Sequence, residues 1–264
     1  MENTIVEYGN QLNRYPMVKL LEVENDIYMA LLSLTRFSGQ TIEVNLYDLM
    51  DMTGFSRTSI DDFEQKANSL IVKICNPKIS LVSDEKIVVF VCFDRLEYDR
   101  KTKDLQVHIQ DDFYETMKNY RLGFTRFELA EFVNLSGNYA KTLYRLLKQF
   151  RSTGSWIVEV AEFRRLLDIP ESYRQREIDT RVLKPCLKQL SRELDLLDTV
   201  RVPFRHLAVE KIKKKGRGIK GRGGTVTHYK FTFDAEKIKV LPKEIESQAE
   251  PKIVAETDVP IAEK

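Results

Sequence analysis

The chain repeats itself. NDIYMALLSLTRFSGQTIEV, residues 25–44, returns as YAKTLYRLLKQFRSTGSWIVEV, residues 139–160. Leu31 and Leu32 correspond to Leu146 and Leu147, and Gly39 to Gly154, each 115 positions later. Both segments close on an apolar residue followed by Glu-Val. Downstream, LYDLMDMTGFS (46–56) parallels EFRRLLDIPES (162–172), and a longer amphipathic helix follows each, over 57–73 and 175–194. Strand-like runs finish both halves: 86–93 and 104–110 in the first, DTVRVPF and HYKFTF in the second. Self-similarity on this scale means one supersecondary unit used twice. Helix, short strand, short helix, tight turn, longer helix and β-hairpin is the order of a winged helix-turn-helix. The expected fold is α+β, with two tandem winged helix-turn-helix domains related by internal duplication. The expected division is 1–122, 123–240 and a tail at 241–264.

The junctions carry suitable chemistry. In Thr53-Gly54-Phe55-Ser56 a glycine can end one helix and a serine can cap the next. Pro170 is expected to stop the helix before it, since proline cannot donate the next backbone bond. Thr125-Arg126-Phe127-Glu128 reads as a capping box opening a further helix between the halves.

Composition excludes several classes. No apolar run approaches the roughly 20 residues that span a bilayer, and the N-terminus lacks a signal-peptide core. Cys75, Cys92 and Cys186 are odd in number, widely spaced and set in apolar stretches. They are expected to be buried thiols in a reducing compartment, the cytoplasm. The net charge of +2 is unevenly spread. Between Arg205 and Lys230, nine Lys and Arg face only Glu210, whereas from Leu241 onward six acids face three lysines. That acidic tail is expected to be disordered, because it has little apolar surface to offset its ordering entropy.

The long helix of the second half has two stripes. Ile178, Val182, Leu183, Leu187, Leu190 and Leu194 recur at helical spacing as a buried face. Arg181, Lys184, Lys188 and Arg192 lie on another face, with Arg174 and Arg176 at its start. Such a helix suits the major groove of DNA, where arginine can fork onto guanine and lysine neutralises phosphate. A solvated face would look similar, and Glu177, Asp179 and Glu193 dilute the field. Pro185 lies inside the pattern and predicts a kink or an altered first turn.

The stretch KIKKKGRGIKGRGGTVTHYKFTF, 211–233, favours the DNA reading. Tyr229, Phe231 and Phe233 alternate at strand period, so the chain re-enters the core after its basic, glycine-rich run. That run reads as the wing of a hairpin whose first strand is 200–204, its cations facing phosphates. A nucleotide-binding loop fits worse: Arg222 and Gly223 replace the required Lys and Ser or Thr, and a strand follows where a helix is needed. His108, His206 and His228 are isolated, which argues against a metal-dependent nickase. Asp61-Asp62 and Asp111-Asp112 suit helix N-termini, and Trp156 suits core packing. No catalytic residue, cofactor or metal is expected.

FTRFELAEFVNLSGNYAKTLYRLLKQFRSTGSW, VAEFRRLLDIP and RVLKPCLKQL together resemble the replication initiator proteins of iteron-bearing plasmids. The likeness is densest over 124–190, and the order of elements extends it over 10–233. It implies two winged-helix domains, the second reading repeated origin DNA through the helix that carries Arg176, Arg181 and Lys184. It also implies contacts from the first domain near Arg57, Thr58 and Ser59, and a homodimer in equilibrium with monomer. Host replication initiator and helicase are the further partners it implies, with self-repression by the dimer. The full expected DNA-binding set adds Arg174, Lys188, Lys213, Lys214, Lys215, Arg217, Lys220 and Arg222. The glycine-rich wing is longer than the short turn of that family. A transcriptional repressor built from the same modules is the alternative reading, and a rolling-circle nickase a third.

Overall fold

Each repeated Leu-Leu pair lies on the central helix of its half, fully inside the core. The structure, a computed structural model, describes residues 4–14, 20–56, 59–74, 78–82, 87–121, 123–196, 199–214 and 224–236. The chain opens with β1 (Ile5–Gly9), a 3-10 turn (Asn10–Arg14) and the central helix α1 (Glu22–Ser38). Strand β2 (Thr41–Asn45), helix α2 (Leu46–Thr53) and helix α3 (Ile60–Ile74) follow. Next come β3 (Lys78–Val82), β4 (Ile87–Val91), β5 (Phe93–Tyr98) and β6 (Asp104–Ile109). Helix α4 (Asp111–Lys118), β7 (Phe124–Glu128) and α5 (Leu129–Val133) lead to the second central helix, α6 (Asn138–Lys148). The second unit continues with β8 (Ser155–Glu159) and α7 (Val160–Leu167). Its long helix is built of α8 (Gln175–Glu177), a π-helical turn (Ile178–Leu183) and α9 (Lys184–Leu190). Strands β9 (Leu194–Leu196), β10 (Thr199–Arg201), β11 (Ala208–Lys214) and β12 (Thr225–Thr232) close the described chain.

The duplication is visible in the sheets. The first unit has the antiparallel order β2-β6-β5 and the second β8-β12-β11, so the strand after the central helix pairs with the last strand in both. Each unit also inserts a two-stranded hairpin after its long helix, β3-β4 and β9-β10. Gly39 and Gly154 take positive φ at the turn from central helix to strand, where L side chains are strained. At Gly154 a Cβ would also lie 2.4 Å from the carbonyl oxygen of Phe233. Trp156 packs into the core as expected, its ring stacked on Phe150 and Phe231. Cys92 and Cys186 are buried and not in a disulfide, and Cys75 lies outside the described residues.

Several sequence expectations need correction. The segment 125–128 is not a capping box but strand: Thr125 and Phe127 point inward while β7 pairs with β1. That pairing joins the first strand of the chain to a segment beyond the expected boundary at 122/123. Helix α7 stops at Leu167, three residues before Pro170, because Asp168 takes a left-handed conformation. The long second-half helix ends at Leu190, and Leu194 begins β9. Residues 200–204 do not form the wing's first strand. Thr199–Arg201 folds back on Leu194–Leu196, and the wing is β11 with β12, so its first strand contains the lysines read as loop. In the first half, 87–91 pairs with 78–82 rather than with 104–109, whose hairpin partner is β5.

The two units are joined through charge. Lys141, Arg145 and Lys148 are spaced four and three apart on one face of α6, and all are buried. Lys141 is 0% exposed and ion-pairs with Asp26 of α1. Arg145 donates to Asn13 Oδ1 at 3.3 Å and to the Tyr8 hydroxyl at 3.4 Å. Lys148 reaches Glu131 at 3.2 Å and Glu236 at 2.7 Å. Asn138 Nδ2 donates to the Leu20 carbonyl at 2.7 Å, extending the polar seam. Burial pushes the Asp26 carboxyl up to about 7, against the pull of Lys141. Removing one partner of a buried pair strands the other, so Lys141→Met should cost about 3–5 kcal/mol in urea unfolding. Adding Asp26→Leu should recover most of that loss. A double variant as unstable as the single would show that the stranded carboxylate is not the cause.

Candidate nucleic-acid interface

In the second unit a single guanidinium holds the turn of the helix-turn-helix. Arg164 on α7 donates to the carbonyls of Pro170, Glu171 and Tyr173 at 2.8, 3.1 and 2.9 Å. The Pro170 carbonyl also accepts from the Tyr173 N–H at 3.0 Å, and the forked donor ties it to the Glu171 and Tyr173 carbonyls of this short, irregular loop. The sequence reading missed Arg164, whose only signal was a cation four residues from a helix end. The backbone N–H of Arg174 donates to Glu177 Oε2 at 2.7 Å and caps the start of α8.

The long helix keeps the two faces expected of it. Ile178, Val182, Leu183, Cys186 and Leu190 are buried, and desolvation pushes the Cys186 thiol up to about 12. Arg174, Arg176, Arg181, Lys184 and Lys188 are all exposed. Arg174, Arg176, Lys184 and Lys188 have no carboxylate partner in an ion pair among the described residues, so their charge stays available. Arg181 lies over the Tyr173 ring at 5.2 Å, and the bond to that side chain raises its already high pKa. Arg192 is diverted, donating to the Asn134 carbonyl at 2.7 Å.

The wing is fastened to this helix. Gln175 donates to the Tyr229 hydroxyl at 2.8 Å, and Lys211 of β11 ion-pairs with Asp179. Tyr229 and Phe231 are fully buried against Phe163 of α7, so the alternation read from sequence anchors the hairpin. Lys213 and Lys214 are exposed beyond a register shift at Ile212/Lys213 and lie beside Val226 and Thr225. Lys211, on the same strand, is therefore on the flank of the helix that carries the free cations. Lys215, Arg217, Lys220 and Arg222 lie outside the described residues.

The corresponding helix of the first unit differs in charge. Ser59 is half-buried just before α3, while Arg57 and Thr58 lie outside the described residues. Asp61 and Asp62 occupy the first turn of α3, as Asp111 and Asp112 do in α4. Lys66 pairs with Asp62, and Lys73 reaches the buried Glu24 at 2.7 Å. His108 and His206 each meet one aspartate, at 2.6 and 3.0 Å. Among the described residues no three His, Cys, Asp or Glu gather as metal ligands, and no helix is long and apolar enough to cross a membrane.

Fold and surface together define a tandem winged-helix protein with an asymmetric pair of units, the second strongly cationic. The family description "Initiator Replication protein, WH1" matches residues 5–148, and "Initiator Rep protein, WH2" matches 159–233. The chain belongs to this plasmid replication initiator family. It is 31% identical over 195 residues to the probable replication protein rep of Bifidobacterium longum (strain NCC 2705), covering 72% of this chain and 65% of that relative. The chain thus spans just under two thirds of that relative's length. The crystal structure of the Pi initiator protein in complex with iteron DNA superposes with a TM-score of 0.65 at 14% identity. That match covers 90% of this chain and all of that one, and shows that the fold is shared.

Arg164→Ala should cost about 1.5–3 kcal/mol in urea unfolding, the worth of charged hydrogen bonds to the turn. Arg164→Lys should recover little of this, because a point charge cannot fork across three carbonyls. Equal stability of Arg164→Lys and the unmodified protein would contradict the assigned role.

Proposed function

We propose that the chain initiates plasmid replication by binding repeated origin sequences, or iterons, in double-stranded DNA. The observation that carries this reading is the row of free cations on the long helix of the second unit, with the cationic β11-β12 hairpin fastened beside it. In this reading the helix enters the major groove. Arg174, Arg176, Arg181, Lys184 and Lys188 meet bases and flanking phosphates, and Lys213 and Lys214 grip the backbone. The remaining basic residues of the wing, Lys215, Arg217, Lys220 and Arg222, extend that grip. The first unit contributes accessory contacts near Arg57, Thr58 and Ser59 and supports dimerisation. Its helix cations are already paired with acids, which suits backbone contact better than base reading.

The chain acts in this account by binding energy, not by catalysis. Several copies on adjacent repeats strain the neighbouring duplex and open the origin. Recruitment of a host initiator and helicase, and repression of its own gene by the dimer, complete the proposed activity. The Pi initiator, which shares the fold, was crystallised with iteron DNA, which supports DNA as the ligand here.

The test is equilibrium binding to a repeat duplex and a scrambled duplex across a salt series. Arg176→Ala should lower the ratio of specific to non-specific affinity by about tenfold, the worth of one bidentate base contact. Lys214→Ala should weaken both duplexes equally and reduce the slope of log K against log salt by about 1. An unchanged ratio in Arg176→Ala would remove this helix as the reader. Nicking of supercoiled origin DNA by the purified protein with magnesium would overturn the non-enzymatic assignment.

A further inference from the structure

We infer that Pro185 is a specificity-determining residue: it enforces the π-helical turn at Ile178–Leu183, and that turn aligns Arg176, Thr180, Lys184 and Lys188 in one row facing DNA. The inference rests on the proposed role of this helix as the reader. It adds Thr180 to the groove-facing surface and gives a function to a proline that touches no ligand.

The geometry begins with spacing. Ile178, Val182, Cys186 and Leu190 are four apart, and every one is buried at 1% exposure or less. Arg176, Thr180, Lys184 and Lys188 are also four apart, offset by two, and every one is exposed. In an unbroken α-helix such a row turns about 40° at each step and about 120° over its length. One end of the buried row would then leave the core, and one end of the exposed row would swing towards it. A single turn with one extra residue gives back about 100° and keeps both rows straight. The structure has that turn: the Lys184 N–H bonds to the Asp179 carbonyl, five residues back.

Proline explains why the turn sits there. Pro185 has no N–H to offer the Arg181 carbonyl four residues earlier, and its ring collides with that carbonyl in α geometry. Widening the preceding turn relieves the clash, and α9 then starts with the proline in its first turn. Asp179 lies within the same turn and pairs with Lys211, so the wing is registered on the widened segment. Thr180 Oγ1 donates to the Arg176 carbonyl at 2.9 Å, leaving its methyl to face outward with the row.

Replacing Pro185 with alanine restores the missing N–H and lets the helix close to regular α geometry. Arg176 and Thr180 then rotate by about 100° relative to Lys184 and Lys188. The test is selection of bound duplexes from a randomised pool by full-length unmodified protein, Pro185→Ala, Arg176→Ala and Thr180→Ala. Pro185→Ala should alter preference at the same base pairs as Arg176→Ala and Thr180→Ala, by about tenfold at the affected positions. It should keep unmodified affinity for the starting pool and a cooperative unfolding transition, with a lower melting temperature because one end of the buried row leaves the core. A Pro185→Ala profile matching the unmodified protein, with Arg176→Ala altered, overturns the inference and leaves the reading of the helix standing. An unaltered Arg176→Ala profile overturns both.

Discussion

The molecule depends on the buried cations of α6. That helix is the core of the second unit, yet Lys141 and Arg145 turn two charges towards Asp26, Asn13 and Tyr8 of the first, while Lys148 pairs with Glu131 and Glu236 beside it. Buried ion pairs contribute little net stability compared with apolar packing, but they penalise every arrangement in which a partner is missing. An apolar seam could slide, whereas a sequence of specific charged pairs has one register. The joint therefore fixes where the two units stand relative to each other. The β1-β7 pairing adds backbone bonds at the same junction.

On that frame the duplication has diverged in chemistry more than in shape. Both units keep the same sheet order and the same inserted hairpin. Their long helices differ in how charge is used. The lysines of α3 are matched by Asp62 and Glu24, while the cations of the second-unit helix face outward unmatched. A polyanion competes poorly with a carboxylate already in place, so under the proposed function the second helix is the stronger DNA surface and the first the weaker.

Much of this was legible in the sequence because it rests on local periodicity. The Leu-Leu pairs, the glycines at equivalent turns and the apolar row of the long helix all follow from residue spacing. The alternation of Tyr229, Phe231 and Phe233 placed the second wing strand. Its partner strand, 208–214, is hidden in the sequence by its lysines, and strand pairing outweighs that composition. Residues 125–128 carry the residues of a capping box, yet pairing with β1, far away in sequence, made them a strand. Arg164 and the α6 cations were invisible for a related reason: their partners are carbonyls and acids that only the tertiary structure brings near. Pro185 was legible as a disturbance, but the π turn that absorbs it follows only once the burial of every fourth residue is known.

The most direct measurement is photocross-linking of the full chain to a repeat duplex carrying 5-bromouracil, with the attached peptides identified by mass spectrometry. Base cross-links are expected within 174–188. Cross-links confined to the far side of the molecule, in α4 or along β1 and β7, would contradict it.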